Sequence, residues 1–386
     1  MIEEIYLAYL ALGTMAFTII YFGAHNSLKK FKKPRLRSNK QTPTGYETDS
    51  EYSEVEEEIL SSQEAYLLPV YASVAILSLY LILRYFDKNT INFIFSIYFI
   101  LTGVLALTKT LVQLTYSLTK FKPVPFRISL TQRTKVITSI KFSLVEVGCL
   151  LCSILISSYY LYSKNWLISN LFGISYSLSA LSLIKLDAFQ TAFILLSGLF
   201  IYDIFWVFGT DVMVTVATKF EVPVKLLWPR TFFPQSGQGL QFSLLGLGDI
   251  VVPGVVICLC LQFDRYMALK RTDPKLAKQY ALKPNTHRFK RTYFFSCYIA
   301  YIVGLALTMA VMHIFKTGQP ALLYLSPACS LAPIITACVR GELKDFLEYQ
   351  SCESEYKLLG YDKPPPKQKE KKFSDSEVVN VNKKAK

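Results

Sequence analysis

Phe242-Ser-Leu-Leu-Gly-Leu-Gly-Asp-Ile-Val-Val-Pro-Gly-Val-Val-Ile-Cys-Leu-Cys-Leu261 is a long apolar run whose only charged side chain is Asp249. A second apolar run, residues 189–208, likewise contains one charged side chain, Asp203. About 20 apolar residues in a helix cross the ~30 Å hydrocarbon core of a bilayer. A charged side chain at that depth costs on the order of several kcal/mol, so it usually marks a functional site. The two runs therefore predict neighbouring membrane helices whose carboxylates face each other.

The overall composition supports a membrane protein. Of the 386 residues, 52% are hydrophobic and 18% are charged, whereas soluble domains carry about 25% charged residues. The net charge of +14 does not indicate a nucleic-acid partner. The Lys and Arg residues lie mainly in short runs between apolar segments, where the positive-inside rule places cytosolic loops.

The hydropathy pattern predicts an all-α polytopic membrane protein with about nine transmembrane helices. The predicted spans are 5–24, 65–84, 91–112, 138–162, 166–184, 189–208, 242–261, 293–315 and 319–339.

The basic residues set the predicted orientation. Only Glu3 and Glu4 precede the first span, while residues 29–40 carry seven Lys and Arg side chains. This places the amino terminus in the lumen and, after nine spans, the carboxyl terminus in the cytosol. The same flanks favour a retained signal-anchor over a cleavable signal peptide.

The predicted organisation has three parts. Residues 1–188 form transmembrane helices 1–5, with a cytosolic linker at 25–64. Residues 189–340 form the catalytic helices 6–9, and residues 341–386 form a flexible cytosolic tail.

The two aspartates are expected at the same depth in the bilayer. Asp203 lies about six residues before the lumenal end of span six, and Asp249 about seven residues after the lumenal start of span seven. At ~1.5 Å per residue, both lie roughly 10 Å below one membrane face. Gly246 and Gly248 remove side chains beside Asp249 and are expected to allow close backbone approach.

Two carboxylates a few Å apart in a low dielectric cannot both ionise, so such a pair shares a proton. The ionised member can activate a water while the other protonates a substrate carbonyl, which is aspartic-protease chemistry. Two alternatives stay open at this point. Each aspartate could hydrogen-bond or ion-pair between helices, or the pair could relay ions or protons in a transporter.

A third element favours the protease. Gln319-Pro320-Ala321-Leu322 opens the ninth span, and proline interrupts regular helix there. Irregular backbone at membrane depth is tolerated only against protein or a watery cavity. A protease needs such backbone because a helical substrate must be unwound and held as an extended strand. A simple helix-start proline is the alternative.

Together, Tyr202-Asp203, Gly246-Leu-Gly-Asp249 and Gln319-Pro-Ala-Leu322 resemble the signature of the intramembrane GxGD-type aspartyl proteases, the presenilin and signal peptide peptidase group. The stretches 211–217, 246–254 and 313–325 look specifically like the signal peptide peptidase family. The resemblance implies a presenilin-like fold in which Asp203 and Asp249 are catalytic and no metal or organic cofactor is used. It implies substrate positioning by Tyr202, Gly246, Gly248, Gln319, Pro320, Ala321 and Leu322, although Tyr202 could equally be a packing residue.

The resemblance also implies substrates. These are transmembrane segments of type II orientation, chiefly remnant signal peptides after signal peptidase has acted, and some tail-anchored proteins. Lys383 and Lys384 have the spacing of a dilysine retrieval signal, which predicts the endoplasmic reticulum membrane. Homo-oligomers, quality-control partners, a non-catalytic scaffold and a carboxylate-relay transporter are left open.

Overall fold

The computed structural model describes residues 2–28, 58–119, 126–132, 135–210, 225–231, 241–273, 289–315 and 319–351, together with 212, 216, 223, 276–277, 353–358 and 360. The predicted dilysine signal, most of the predicted linker and most of the stretch 211–217 lie outside the described residues.

Within these ranges, nine helices are long and apolar enough to cross a membrane, which confirms the predicted all-α multi-pass fold. They are α1 (Ile2–Ser27), α2 (Ser62–Tyr85), α3 (Lys88–Thr119), α4 (Leu144–Ser163), α5 (Trp166–Leu183), α6 (Phe189–Phe208), α7 (Gly248–Lys270), α8 (Thr292–Phe315) and α9 (Leu322–Arg340).

Short strands and two further helices lie between and after the spanning helices. The strands are β1 (Glu58–Leu60), β2 (Phe126–Gln132), β3 (Lys135–Phe142), β4 (Ile184–Leu186), β5 (Lys225–Pro229) and β6 (Phe242–Gly246); the helices are α10 (Leu343–Glu348) and α11 (Glu353–Leu358). β1 pairs in parallel with β4. β2 pairs antiparallel with β3, and β5 with β6.

Two predicted spans begin too early because strands occupy their first residues. Span four was predicted from residue 138, but β3 extends to Phe142 and α4 begins at Leu144. Span seven was predicted over 242–261, but residues 242–246 form β6 and α7 runs from Gly248 to Lys270. Hydropathy alone cannot distinguish a short apolar strand from the first turn of a buried helix.

Helix α7 is the centre of the bundle. In its most apolar 18-residue window, 78% of the residues are buried, the largest share among the nine spans described. Helices α1, α5, α8 and α9 all pack against it. Gly254 permits one of these contacts, because a Cβ there would lie 2.7 Å from Leu181 Cδ2 and 3.4 Å from Ile20 Cγ1.

The segment after α9 packs against the bundle. Phe346 and Tyr349 are 0% and 1% exposed, and the Phe346 ring stacks on Phe189 at 3.9 Å between centroids. Ser351 also joins the bundle, since its hydroxyl donates to Gln262 Oε1 at 2.5 Å. The flexible tail predicted from residue 341 therefore starts too early, because residues 341–351 bury aromatic side chains against α6 and α7.

Candidate active site

Asp203 lies on α6, five residues before the helix ends at Phe208. Its side chain is 5% exposed. The backbone N–H of Leu322 donates a 3.0 Å hydrogen bond to Asp203 Oδ2. Since Leu322 is the first residue of α9, the carboxylate caps a helix N-terminus, where unpaired N–H groups and the helix dipole favour negative charge.

Asp249 is the second residue of α7, not the seventh or eighth residue of a longer span as predicted. α6 runs toward the end of the bundle at which α7 begins, so both carboxylates lie near that end. They are close enough for their charges to interact. The sequence prediction that the two side chains approach each other therefore agrees with the structure, although the predicted helical depth of Asp249 was wrong.

The two glycines before Asp249 differ in their surroundings. A Cβ on Gly246 would lie 3.2 Å from Asp249 Oδ2 and 3.8 Å from its Cγ. A Cβ on Gly248 would have no atom within 4 Å, apart from its chain neighbours and the adjacent backbone of its own helix. Among the described residues, neither glycine shows the expected close approach of another backbone: Gly246 faces the Asp249 side chain itself, and Gly248 lies exposed at the start of the helix.

The segment Gln319-Pro320-Ala321 precedes α9 and is not helical, as the proline predicts. Because α9 starts only at Leu322, its first N–H is free of the helical ladder and reaches Asp203. One turn later, the Ser326 hydroxyl donates to the Leu196 carbonyl of α6 at 2.9 Å. Two hydrogen bonds thus join α9 to the helix that carries Asp203.

α8 holds the other side of α9. A Cβ on Gly304 would lie 3.3 Å from Leu325 Cδ2 and 3.4 Å from both Ala328 Cβ and the Tyr324 carbonyl. Glycine therefore lets the two backbones approach closely beside the start of α9.

Tyr202 is half-buried next to Asp203 and packs against the core. Its ring centroid lies 6.4 Å from that of Trp206. Trp206 in turn donates to the Ser73 hydroxyl of α2 at 3.2 Å. These contacts make Tyr202 a packing residue next to the carboxylate pair.

The site consists of two carboxylates, one of which is bonded to the N-terminus of α9. Within the described ranges, no three His, Cys, Asp or Glu side chains are grouped in a way that could hold a metal ion. Two acidic side chains at one place suit general acid–base activation of a water molecule.

Three polar residues that join elements of the bundle are absent from the sequence-predicted site, and one of them, Asp264, lies near the end of α7 opposite to Asp249. Ser326 links α9 to α6. Asp264 accepts from the N–H groups of Tyr293 at 3.1 Å and Phe294 at 2.8 Å, and so caps α8. Asn170 bonds to strand β5. A polar side chain inside a predicted apolar span was the signal that could have identified Ser326 and Asn170, whereas Asp264 lies beyond the predicted span 242–261.

Comparison with known proteins gives a consistent result. Residues 51–353 match the family model described as signal peptide peptidase. The chain is 39% identical over 357 residues to the signal peptide peptidase of Mus musculus, covering 90% of this chain and 84% of the relative. It is 38% identical to the Homo sapiens protein of the same name with the same coverage. It is 33% identical to a probable intramembrane protease of Schizosaccharomyces pombe, covering 77% of this chain and 85% of that protein.

Proposed function

Because the chain belongs to the signal peptide peptidase family of intramembrane aspartyl proteases, we propose that Asp203 and Asp249 are its catalytic pair. The observation that supports this most strongly is their convergence at one end of the bundle, with the N-terminus of α9 bonded to Asp203. All three motifs that resemble the family signature, Tyr202-Asp203, Gly246-Leu-Gly-Asp249 and Gln319-Pro-Ala-Leu322, contribute residues to this end of the bundle.

The pair would work by sharing a proton. The ionised carboxylate takes a proton from a water held between the two side chains, and the water attacks the scissile carbonyl. The protonated carboxyl gives its proton to the carbonyl oxygen, and the carboxyls then return a proton to the leaving amine. The Leu322 N–H supports this cycle because it fixes one oxygen of Asp203, leaving the other free to act.

The hairpin β5–β6 supports a site for an extended substrate. β6 ends at Gly246, three residues before Asp249, and pairs with β5 along one edge. In the described part of the chain this sheet has two strands, so the other edge of β6 offers backbone groups to a third strand. A substrate unwound against that edge would present its peptide bonds beside the carboxylates.

Gln319, Pro320 and Ala321 would form the opposite wall of this substrate path. They directly precede Leu322 and lie outside α9, although the carbonyls of Pro320 and Ala321 accept hydrogen bonds from the first N–H groups of that helix. Gly248 is exposed and directly precedes Asp249, and the absence of a side chain there leaves room for a passing backbone.

The proposed substrates are remnant signal peptides and other transmembrane segments of type II orientation. The chain would lie in the endoplasmic reticulum membrane with a lumenal amino terminus and a cytosolic carboxyl terminus. Support comes from the basic loops, from Lys383 and Lys384, and from the family to which the chain belongs. Replacing Lys383 and Lys384 with serine should move the protein out of the reticulum; unchanged location would contradict the retrieval signal.

The function is tested with the full chain purified in detergent and a synthetic signal peptide. Mass spectrometry should detect fragments cut inside the apolar core of the peptide with the intact protein, and none with Asp249→Ala. Fragments from both proteins would contradict the assignment of Asp249. No fragments from either, using a peptide that a related enzyme cleaves, would favour a scaffold or a transporter.

A further inference from the structure

Asn170, on α5, is buried and makes a pair of short hydrogen bonds to strand β5. Its Nδ2 donates to the Leu227 carbonyl at 2.7 Å, and its Oδ1 accepts from the Leu227 N–H at 2.7 Å. The side chain is 4% exposed. A carboxamide bonded to both backbone groups of one residue reproduces the pairing that a neighbouring strand would make.

The face of α5 that carries Asn170 packs against the β5–β6 hairpin. Trp166 packs its ring against Trp228 of β5 at 5.8 Å and against Phe242 of β6 at 6.4 Å between centroids. Gly173 leaves room for the strand, since a Cβ there would lie 3.0 Å from Leu226 Cδ2. Positions 166, 170 and 173 are spaced by four and three residues and so share one helix face.

The hydrogen bonds of Asn170 also show which backbone groups of β6 point away from β5. Leu227 lies opposite Leu244 in the antiparallel register. Because both backbone groups of Leu227 bond to Asn170, this pair is a non-hydrogen-bonded pair. In such a pair the backbone groups of Leu244 point away from β5, and alternation gives Phe242 and Gly246 the same direction.

Among the described residues, the hairpin therefore has one edge closed by a side chain and one edge, near the carboxylates, to which no further strand is paired. The closed edge is on β5, where Asn170 occupies the groups of Leu227 and where Pro229 has no N–H to offer. The open edge is on β6, which continues within three residues into Asp249.

We propose that Asn170 is a positioning residue that fixes β6 relative to Asp249 and thereby sets which peptide bond of a substrate is cut. This rests on the proposed proteolytic function. By holding β5 at one residue, Asn170 prevents the hairpin from sliding along α5. A slip of the hairpin would carry the open edge of β6, and any strand paired to it, past the carboxylates.

The test compares Asn170→Leu with Asn165→Ala on the same helix. Leucine has nearly the shape of asparagine but neither hydrogen-bonding group. Asn165 caps α5 by accepting from the Leu167 N–H at 3.0 Å, a bond that stays within the first turn of this helix. Both variants lose hydrogen bonds of an asparagine on α5. Asn165→Ala weakens only the start of the helix, whereas Asn170→Leu also releases the hairpin.

With a signal peptide as the probe, Asn170→Leu should produce cuts at additional or shifted bonds, with kcat/KM lowered about tenfold or more. Asn165→Ala should keep the wild-type cleavage positions. Asn170→Ala, which removes both hydrogen bonds with a smaller side chain, should shift the cleavage positions in the same way and serves if the leucine variant does not fold. Wild-type bonds cut in wild-type proportions by folded Asn170→Leu would overturn the proposal.

Hydrogen exchange separates failure of this proposal from failure of the proposed function. Asn170→Leu should speed amide exchange in 225–229 and 242–246, a result that needs no activity. If the wild type cleaves no peptide, the proteolytic function fails, and the positioning role for cleavage fails with it, whatever the exchange shows. If exchange rises while an active variant keeps its cleavage positions, the function stands and only the positioning role is overturned.

Discussion

The backbone N–H of Leu322 donates a 3.0 Å hydrogen bond to the carboxylate of Asp203, which lies 119 residues earlier in the chain. The bond joins two of the three elements that resemble the family signature. It exists because Pro320 and Ala321 lie outside α9, so that the first N–H of the helix points at a side chain instead of a carbonyl.

Pro320→Ala should therefore lower cleavage. Alanine restores an N–H and favours helix, so α9 can extend backward and draw the Leu322 N–H into its own ladder. Loss of a hydrogen bond to a charged group costs about 1.5–3 kcal/mol, or roughly ten- to a hundredfold in rate. Initial rates of peptide cleavage measure the effect. Pro327→Ala, an exposed position within α9, is the control and should keep near wild-type rates; equal losses in both variants would contradict this role of Pro320.

Gly246→Ala and Gly248→Ala should behave differently. The new Cβ at 246 would lie 3.2 Å from Asp249 Oδ2 and displace the carboxylate by a few tenths of an Å, whereas the Cβ at 248 enters open space. We expect about a tenfold or greater loss of kcat for Gly246→Ala. Gly248→Ala should keep the thermal stability of the wild type. Any defect should appear in KM, because a substrate backbone would pass Gly248. Equal kcat in Gly246→Ala and the wild type would contradict the geometry.

Ser326→Ala should loosen α9 from α6. The substitution removes the 2.9 Å hydrogen bond from Ser326 to the Leu196 carbonyl. Thermal unfolding in detergent should show a loss of about 0.5–1.5 kcal/mol in the free energy of unfolding. Ser330→Ala, four residues later on α9, provides the comparison and should change stability less. A result in which both serines matter equally would argue against this link.

Phe346→Ala should destabilise the whole bundle even though residue 346 follows the last membrane span. Phe346 is 0% exposed and stacks on Phe189 at the start of α6. Removing a buried phenylalanine side chain costs about 3–5 kcal/mol of the free energy of unfolding. Leu347→Ala is a matched control, because Leu347 is 47% exposed, and it should change stability by less than about 0.5 kcal/mol. A loss as small for Phe346→Ala would show that residues 341–351 do not pack as described.

The sequence predicted the membrane spans well because an apolar run of about 20 residues seldom forms anything but a membrane helix. The prediction failed where the pattern is local and ambiguous. Residues 242–246 are apolar in either a strand or a helix, and only their pairing with 225–229 decides between them. The two strands are separated in the sequence, so the hydrophobic periodicity near Asp249 could not reveal that they pair.

The prediction for residues 341–351 failed for a different reason. The segment is charged and was predicted to be a tail, but its charges have distant partners: Glu342 pairs with Arg271, and Asp345 with Lys270 at 2.6 Å. Phe346 and Tyr349 are then buried against helices far away in sequence. Such tertiary contacts override local composition.

The two aspartates were identified from their cost at membrane depth, and the structure brings them together. Their supporting contacts could not be identified in this way. The Leu322 N–H is a backbone group with no sequence signature, and Asn170 acts through a strand that hydropathy assigned to no element. Polar residues in apolar spans indicate that a contact exists, but not with which partner.

The most direct test of the catalytic pair uses three isosteric variants: Asp203→Asn, Asp249→Asn and Asp264→Asn. Asp264 is also a buried carboxylate on α7, but its hydrogen bonds cap the start of α8. Mass spectrometry of a signal peptide incubated with each folded variant should show no internal cleavage with the first two and clear cleavage with the third. Sustained cleavage by Asp203→Asn or Asp249→Asn would contradict the catalytic pair.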